Sequence, residues 1–354
     1  MKAIIKKILA PSVILKLKYF ISLVDNKIFP FFAHHAFLSS FYYCFLNRKF
    51  YREHKAVLQG RLHYRNSLEN IEQSSFLLRR NIHRLEKGLI MKPRREVFAQ
   101  AYITETLNCY QQCLFAKVCE EELKWTHDVL TAYFKVVSDT AVIATARKLF
   151  FALDKNNTNS STNYVPYSYK DRTSADVSTV QLEQLFKQRR SVRWFQQKPV
   201  ALSTIEKAIE LAALAPSACN RQPFTFHVIT DQEKAHNIAK IAVGTAGFAE
   251  NIPALLAIVG DLSAYPLERD RHVVYIDSGL AAMQLMLALE TLGLSSCPLN
   301  WPDIENLELK MATQLELPYY QKPIMLLAVG YADPDGEIPY SQKKKTKLLI
   351  KEVH

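Results

Sequence analysis

Nine glycines serve the 354 residues of this chain, and they are unevenly placed. Gly60 and Gly88 are the only two before residue 243, and the other seven fall at or after Gly244. Tight turns with positive φ favour glycine, so a long stretch almost without it is restricted to helices and simple connections. Apolar residues recur at helical spacing through that stretch, with Leu68, Ile71, Phe76, Leu78 and Ile82 marking one face. The pattern predicts helices over 67–89, 95–116, 120–135 and 137–153, the first of them ending at Gly88.

Length alone calls for about two domains. Apolar residues make up 49% and charged residues 22%, a globular composition that excludes a disordered chain. The net charge of +11 favours acidic partners such as a phosphate-bearing cofactor, an anionic membrane surface or nucleic acid. Cys44, Cys109, Cys113, Cys119, Cys219 and Cys297 form no CxxC pair and no disulfide framework. They are read as reduced thiols of a cytoplasmic protein with no zinc.

The start of the chain mixes apolar residues with lysines and lacks a small-residue cleavage site, which argues against a signal peptide. Residues 28–46 then run without a formal charge. That length approaches a membrane span, but Pro30, His34 and His35 make it polar for one. Three readings stay open: burial against the protein, peripheral contact of residues 1–50 with the inner face of a membrane, and a true span.

A segment rich in Asn, Ser and Thr at 155–178 separates a helical region, 1–154, from a second region, 179–354. In the second, capping boxes at Ser178–Gln181 and Ser203–Glu206 start helices. Strands are predicted at 224–229, 254–259, 294–298 and 323–329, with a long buried helix at 273–292 and another helix starting at Pro302-Asp303. Helices alternating with about four strands give an α+β or α/β sandwich.

Four stretches of this region stand out. The first is Arg189-Arg190-Ser191-Val192-Arg193, where planar guanidinium forks beside a hydroxyl suit a phosphate. The second is the turn Pro216-Ser217-Ala218-Cys219-Asn220. Asn220 can both donate and accept hydrogen bonds. The third is Ser296-Cys297-Pro298-Leu299-Asn300, and the fourth is Ala328-Val329-Gly330-Tyr331 followed by Lys343 and Lys345. Each also has a plain reading: a basic turn, a proline-punctuated connection, a small buried cysteine, a solvated tail. Asp277 in the long apolar helix could cap a neighbouring loop or touch a ligand, and Phe248 and Trp301 could belong to the core or line a site. His83, Glu86 and Lys87 share a helix face, as a polar site or as local ion pairs.

In this order the four stretches resemble the FMN-dependent nitroreductase family over residues 180–350. The resemblance implies an α+β, nitroreductase-like three-layer sandwich with a central, mostly antiparallel sheet, preceded by a helical N-terminal domain. It implies a homodimer with FMN at the interface and NADH or NADPH as reductant. On that likeness Arg189, Arg190, Ser191 and Arg193 hold the phosphate and nearby flavin atoms. Pro216, Ser217, Ala218 and Asn220 of the partner subunit cover the ring, and Cys297, Pro298, Leu299 and Asn300 lie along its edge. Lys343 and Lys345 stand where the family often has a phosphate-binding Arg. The helical half is similar to extensions of nitroreductase-like proteins encoded beside bacterial polysaccharide-biosynthesis genes. The implied function is hydride transfer from NAD(P)H through flavin to a small-molecule acceptor, with no catalytic side chain needed. The alternative is a non-catalytic flavin-binding or scaffold protein in envelope-polysaccharide assembly. Nucleic acid is not expected as a partner, for no zinc-finger or RRM signature is present.

Overall fold

The structure, a computed structural model, describes residues 11–68, 71, 74–153 and 163–353. It separates into two compact units, 1–55 and 56–354. The expected boundary at 155–178 does not divide them. Residues 155–162 of that segment lie outside the described residues, and the rest is irregular apart from one 3₁₀ turn at Tyr169–Asp171.

In the first unit, α1 (Pro11–Ala33) and α2 (Ala36–Phe41) are separated by a break at His34-His35, and α2 runs into a π-helical turn, Tyr42–Leu46. The uncharged run 28–46 is therefore not one continuous helix. Tyr42 is buried and donates its hydroxyl to Asp25. Phe32 packs on Phe41 and Tyr42, with ring centroids 6.3 and 5.6 Å apart.

The second unit begins within α3 (Tyr51–Ser67), and four helices follow: α4 (Phe76–Leu89), α5 (Ile103–Ala116), α6 (Glu120–Val136) and α7 (Ala141–Leu153). Their facing stripes, including Leu78, Ile82, Leu107, Leu130, Tyr133 and Phe150, close one apolar core. The helix expected over 67–89 is interrupted. It restarts at Phe76 because the Ser75 hydroxyl accepts from Leu78 N–H at 3.3 Å, an N-cap. Gly88 is not a terminal cap but lies in the last turn, where a side chain would collide with the Phe98 ring. His83 and Glu86 hydrogen-bond at 3.1 Å, and Trp125 Nε1 donates to Glu86 at 2.9 Å, so the face makes local side-chain contacts extended by a neighbouring helix.

The sheet region starts with α8 (Thr179–Gln188), whose predicted Ser178–Gln181 capping box is present. The second expected box is absent. Helix α9 (Leu202–Ala212) starts two residues earlier than that box requires, with Ala201 at the cap, so Ser203 sits inside the first turn. Strand β1 (Phe224–Ile229), helix α10 (Gln232–Ala239), strand β2 (Ala254–Asp261), helix α11 (Val273–Thr291) and strand β3 (Ser295–Asn300) follow. Helix α12 (Glu305–Leu315) starts later than Pro302, and β4 (Gln321–Gly330) completes the sheet.

The strand order is β1-β2-β4-β3, every pairing antiparallel. Period-2 alternation builds three layers from the two central strands. Leu255, Ala257 and Val259 of β2, with Leu326 and Ala328 of β4, pack under α10 and α12. Leu256 of β2 and Leu327 and Val329 of β4 face the opposite way, under α9 and α11. Both sheet faces are dry, which explains the nearly continuous apolar run of β2.

Candidate functional site

The Arg/Ser cluster emerges where α8 stops. Arg189 is its C-cap, and the chain then turns along the outer side of edge strand β3. Ser191 forms a parallel bridge with Ser296, and Val192 N–H donates to Ser296 O at 3.1 Å. The fourth stretch is drawn to the same place by Phe195. This residue bridges Ala332, its ring lies against Gly330, and a Cβ there would meet ring carbons at 2.9 Å. Phe195 N–H donates to Asn251 Oδ1 at 2.5 Å. Glycine at 330 is thus required first by Pro253, whose Cγ a Cβ would meet at 2.5 Å, and also by an aromatic ring 135 positions away in the chain, so two distant motifs share one packing unit.

The arginines differ in how their donors are used. Arg190 donates to the carbonyls of Pro339 at 2.8 Å and of Tyr340, which ties down the segment leading to Lys343 and Lys345. Both lysines are exposed. Arg193 has one long bond, 3.4 Å to Ser191 O, and its guanidinium sits 6.0 Å from the Phe248 ring centre. Among the described residues Arg189 donates no side-chain hydrogen bond. Its neighbour Glu290 is pushed up by burial, and Gln188 and Arg189 hold it down only in part. The Ser296 hydroxyl, buried beside the cluster, has no partner among the described residues.

Cys297 lies within the field of Arg193, Arg189 and Ser191. Burial pushes its thiol up more than those groups hold it down, so it stays a neutral thiol at physiological pH. Side chains on β3 alternate: Cys297 and Leu299 enter the core, while Pro298 and Asn300 are exposed. Cys297 and Leu299 can therefore meet a ligand only through their backbone. Trp301 and Phe248 belong to the same core, and Trp301 Nε1 donates to Glu308 at 2.7 Å.

The turn at 216–222 is held elsewhere and more firmly. Cys219, Asn220 and Gln222 all have positive φ, near 50°, a conformation that strains non-glycine residues. Their neighbours enforce it. Asp277, 3% exposed on α11, accepts Ala218 N–H at 2.9 Å and the Tyr265 hydroxyl at 3.3 Å. Burial pushes the Asp277 carboxyl up, opposed by Ala218 N–H, Tyr265 and Arg221. Ser217 Oγ accepts Gln222 N–H at 3.0 Å, and Asn220 Oδ1 accepts Gln222 Nε2 at 3.0 Å. Arg79, on α4, donates from Nε to Asn220 O and from a terminal nitrogen to Glu122, each at 2.9 Å. Pro216 is exposed, and Ser217, Ala218 and Asn220 are half-buried.

Of the sequence-predicted residues, the structure thus brings Arg189, Ser191 and Arg193 together beside Cys297. No hydrogen bond among the described residues joins the 216–220 turn to that cluster. Arg79 and Tyr265 escaped the sequence reading, and Ser296, though inside the third stretch, was given no role there. Asp277 was singled out, and it caps the turn. A surface cavity of about 430 Å³ opens away from all these residues, between α10 and α12 and lined by Asn237, Ile241, Leu309 and Thr313.

The Nitroreductase family matches residues 186–246 and 242–331. Among curated relatives, the iodotyrosine deiodinase of Nematostella vectensis is 24% identical over 223 residues, 53% of this chain and 82% of that one. An FMN reductase (NAD(P)H) of Bacillus subtilis is 27% identical over 166 residues, 42% of this chain and 66% of that one. Among solved structures, an FMN-dependent nitroreductase from Clostridium difficile R20291 is 25% identical, covers 48% of this chain and 96% of its own, and gives a TM-score of 0.40.

Proposed function

We propose that this chain, whose residues 186–331 form a nitroreductase family domain, is an FMN-dependent oxidoreductase that takes hydride from NADH or NADPH and delivers it to a small-molecule acceptor. The observation that carries the reading is the unspent donor set. Arg189 and Arg193 keep most of their N–H groups free of protein acceptors, next to Ser191 and the unpartnered Ser296 hydroxyl. Charged donors left half-buried in this way fit a dianionic phosphate. Bound FMN supplies the redox chemistry. The chain's part is to hold the phosphate through Arg189, Arg193 and Ser191, with Lys343 and Lys345 adding positive charge. Edge strand β3 then offers the outward backbone groups of Cys297–Asn300 to the ring edge, with Pro298 and Asn300 as the exposed side chains.

A homodimer fits the same surface. Helix α11 exposes Ile276, Leu280 and Met283 at i, i+4 and i+7, with Tyr275 beside them, an apolar stripe on a helix otherwise buried against the sheet. Asp277 on that helix carries the 216–220 turn, so pairing across α11 would bring each turn to the partner and supply the cover the single chain lacks. All six cysteines are free, which supports a reducing, cytoplasmic setting. An acceptor from polysaccharide biosynthesis rests on the likeness of the helical half alone.

The test is the absorption spectrum of the purified protein, then anaerobic titration with NADH and with NADPH. Flavin bands that bleach stoichiometrically are expected. Protein that stays colourless after incubation with FMN and desalting refutes the reading. Turnover assays with nitroaromatic, halotyrosine and lipid-linked sugar acceptors then separate the acceptor classes.

A further inference from the structure

We propose that residues 11–50 are an in-plane anchor for an anionic lipid surface, independent of any flavin chemistry in the second unit. The first argument is charge. Residues 11–50 hold five Lys and Arg but one acid, Asp25, and residues 1–10 before them add Lys2, Lys6 and Lys7, which makes eight cations over 1–50. That net +7 is most of the chain's +11. Asp25 is moreover spent internally: it accepts the Tyr42 hydroxyl, and this bond leads in pushing the Tyr42 phenol up.

The second argument is the exposed surface. On α1, Phe20 is 62% exposed and Phe31 65%, with Leu23 and Val24 between them. Lys16 and Lys27 share that stripe, at i−4 and i+7 from Phe20, and both are exposed. Beyond the break, Phe37 and Phe45 are 78% and 66% exposed. An apolar stripe interleaved with lysines suits the headgroup boundary: rings enter the acyl edge while the ammonium groups reach back to phosphates. A helix that spans is not the alternative the chain offers. Among the described residues of this unit no helix is both long and apolar enough to cross a bilayer, and the break at His34-His35 divides the uncharged run.

The experiment is co-sedimentation of the full chain with vesicles of phosphatidylcholine alone and of phosphatidylcholine mixed with phosphatidylglycerol. Binding to the mixed vesicles only, weakened by salt and released by alkaline carbonate, is expected. Lys16→Glu with Lys27→Glu should lower partition by on the order of tenfold or more. Phe20→Ser with Phe31→Ser should lower it comparably, with flavin content and circular dichroism unchanged as the folding control. Equal binding to both vesicle types, variants that bind like wild type, or carbonate-resistant insertion would overturn the proposal. So would sedimentation without vesicles, which would mean that the stripe is covered by a second copy.

Discussion

The turn at 216–222 and the cluster at 189–193, which the proposed dimer would bring into one site, are built on opposite terms. The turn is over-determined. Three residues at positive φ are kept there by Asp277, Gln222 and Arg79, which come from α11, the turn itself and α4. The cluster is under-determined. Its backbone is fixed to β3 and its Phe195 is locked on Gly330, but two of its guanidiniums have little to bind. A rigid wall and an unsatisfied charged mouth are what a site looks like when shape is set by the protein and charge is completed by a ligand.

Removing the turn's central support should give the largest effect. Asp277→Ala leaves Ala218 N–H and the Tyr265 hydroxyl without their acceptor, and a loss of about 3 kcal/mol in denaturant unfolding is expected. Next comes Arg79→Ala, which leaves Glu122, 5% exposed, without its cation and held only by Ser74 Oγ and Ser75 N–H, and frees Asn220 O. About 2 kcal/mol of stability should go with it, and KM for the acceptor should rise more than kcat falls. If instead the cluster variant Arg193→Ala destabilises the apoprotein as much as these do, the contrast between the two regions is wrong. That variant should stay within about 0.5 kcal/mol of wild type.

The pH dependence sharpens the same contrast. Asp277 has its folded pKa raised, so between the unfolded and the folded value the native state binds more protons. Stability from this group is therefore lost as pH rises through that window, and Asp277→Asn should flatten the profile recorded by thermal unfolding. The smallest effect concerns Cys297. As a buried neutral thiol it should react with a thiol reagent far more slowly than exposed Cys119, read by mass spectrometry.

The sequence reading found what is local. Helical periods, the Ser178 capping box, the strand positions and the Arg/Ser cluster are all carried by residues within a few positions of one another. What it missed is long-range. Arg79 meets Asn220 across 141 positions, so nothing near either residue announces the contact. Gly88 read as a helix end because the Phe98 ring above it is invisible to spacing. The Ser203 box failed by two residues, since a capping pattern states a preference and the helix begins where Ile205 and Ala208 reach the core. The Asn-rich segment was legible as a break in pattern, but α4 packs on the sheet region through Arg79, and the compact unit runs past that break.

The central claim, that the 189–193 cluster is a phosphate anchor, is tested most directly by comparing FMN with riboflavin. The two differ by the phosphate alone. Calorimetric titration of apoprotein should give FMN an advantage of roughly a hundredfold or more, and Arg189→Ala with Arg193→Ala should remove most of it while leaving riboflavin binding and unfolding unchanged. Equal affinity for the two flavins in wild type, or an FMN advantage that survives in the double variant, would contradict the account.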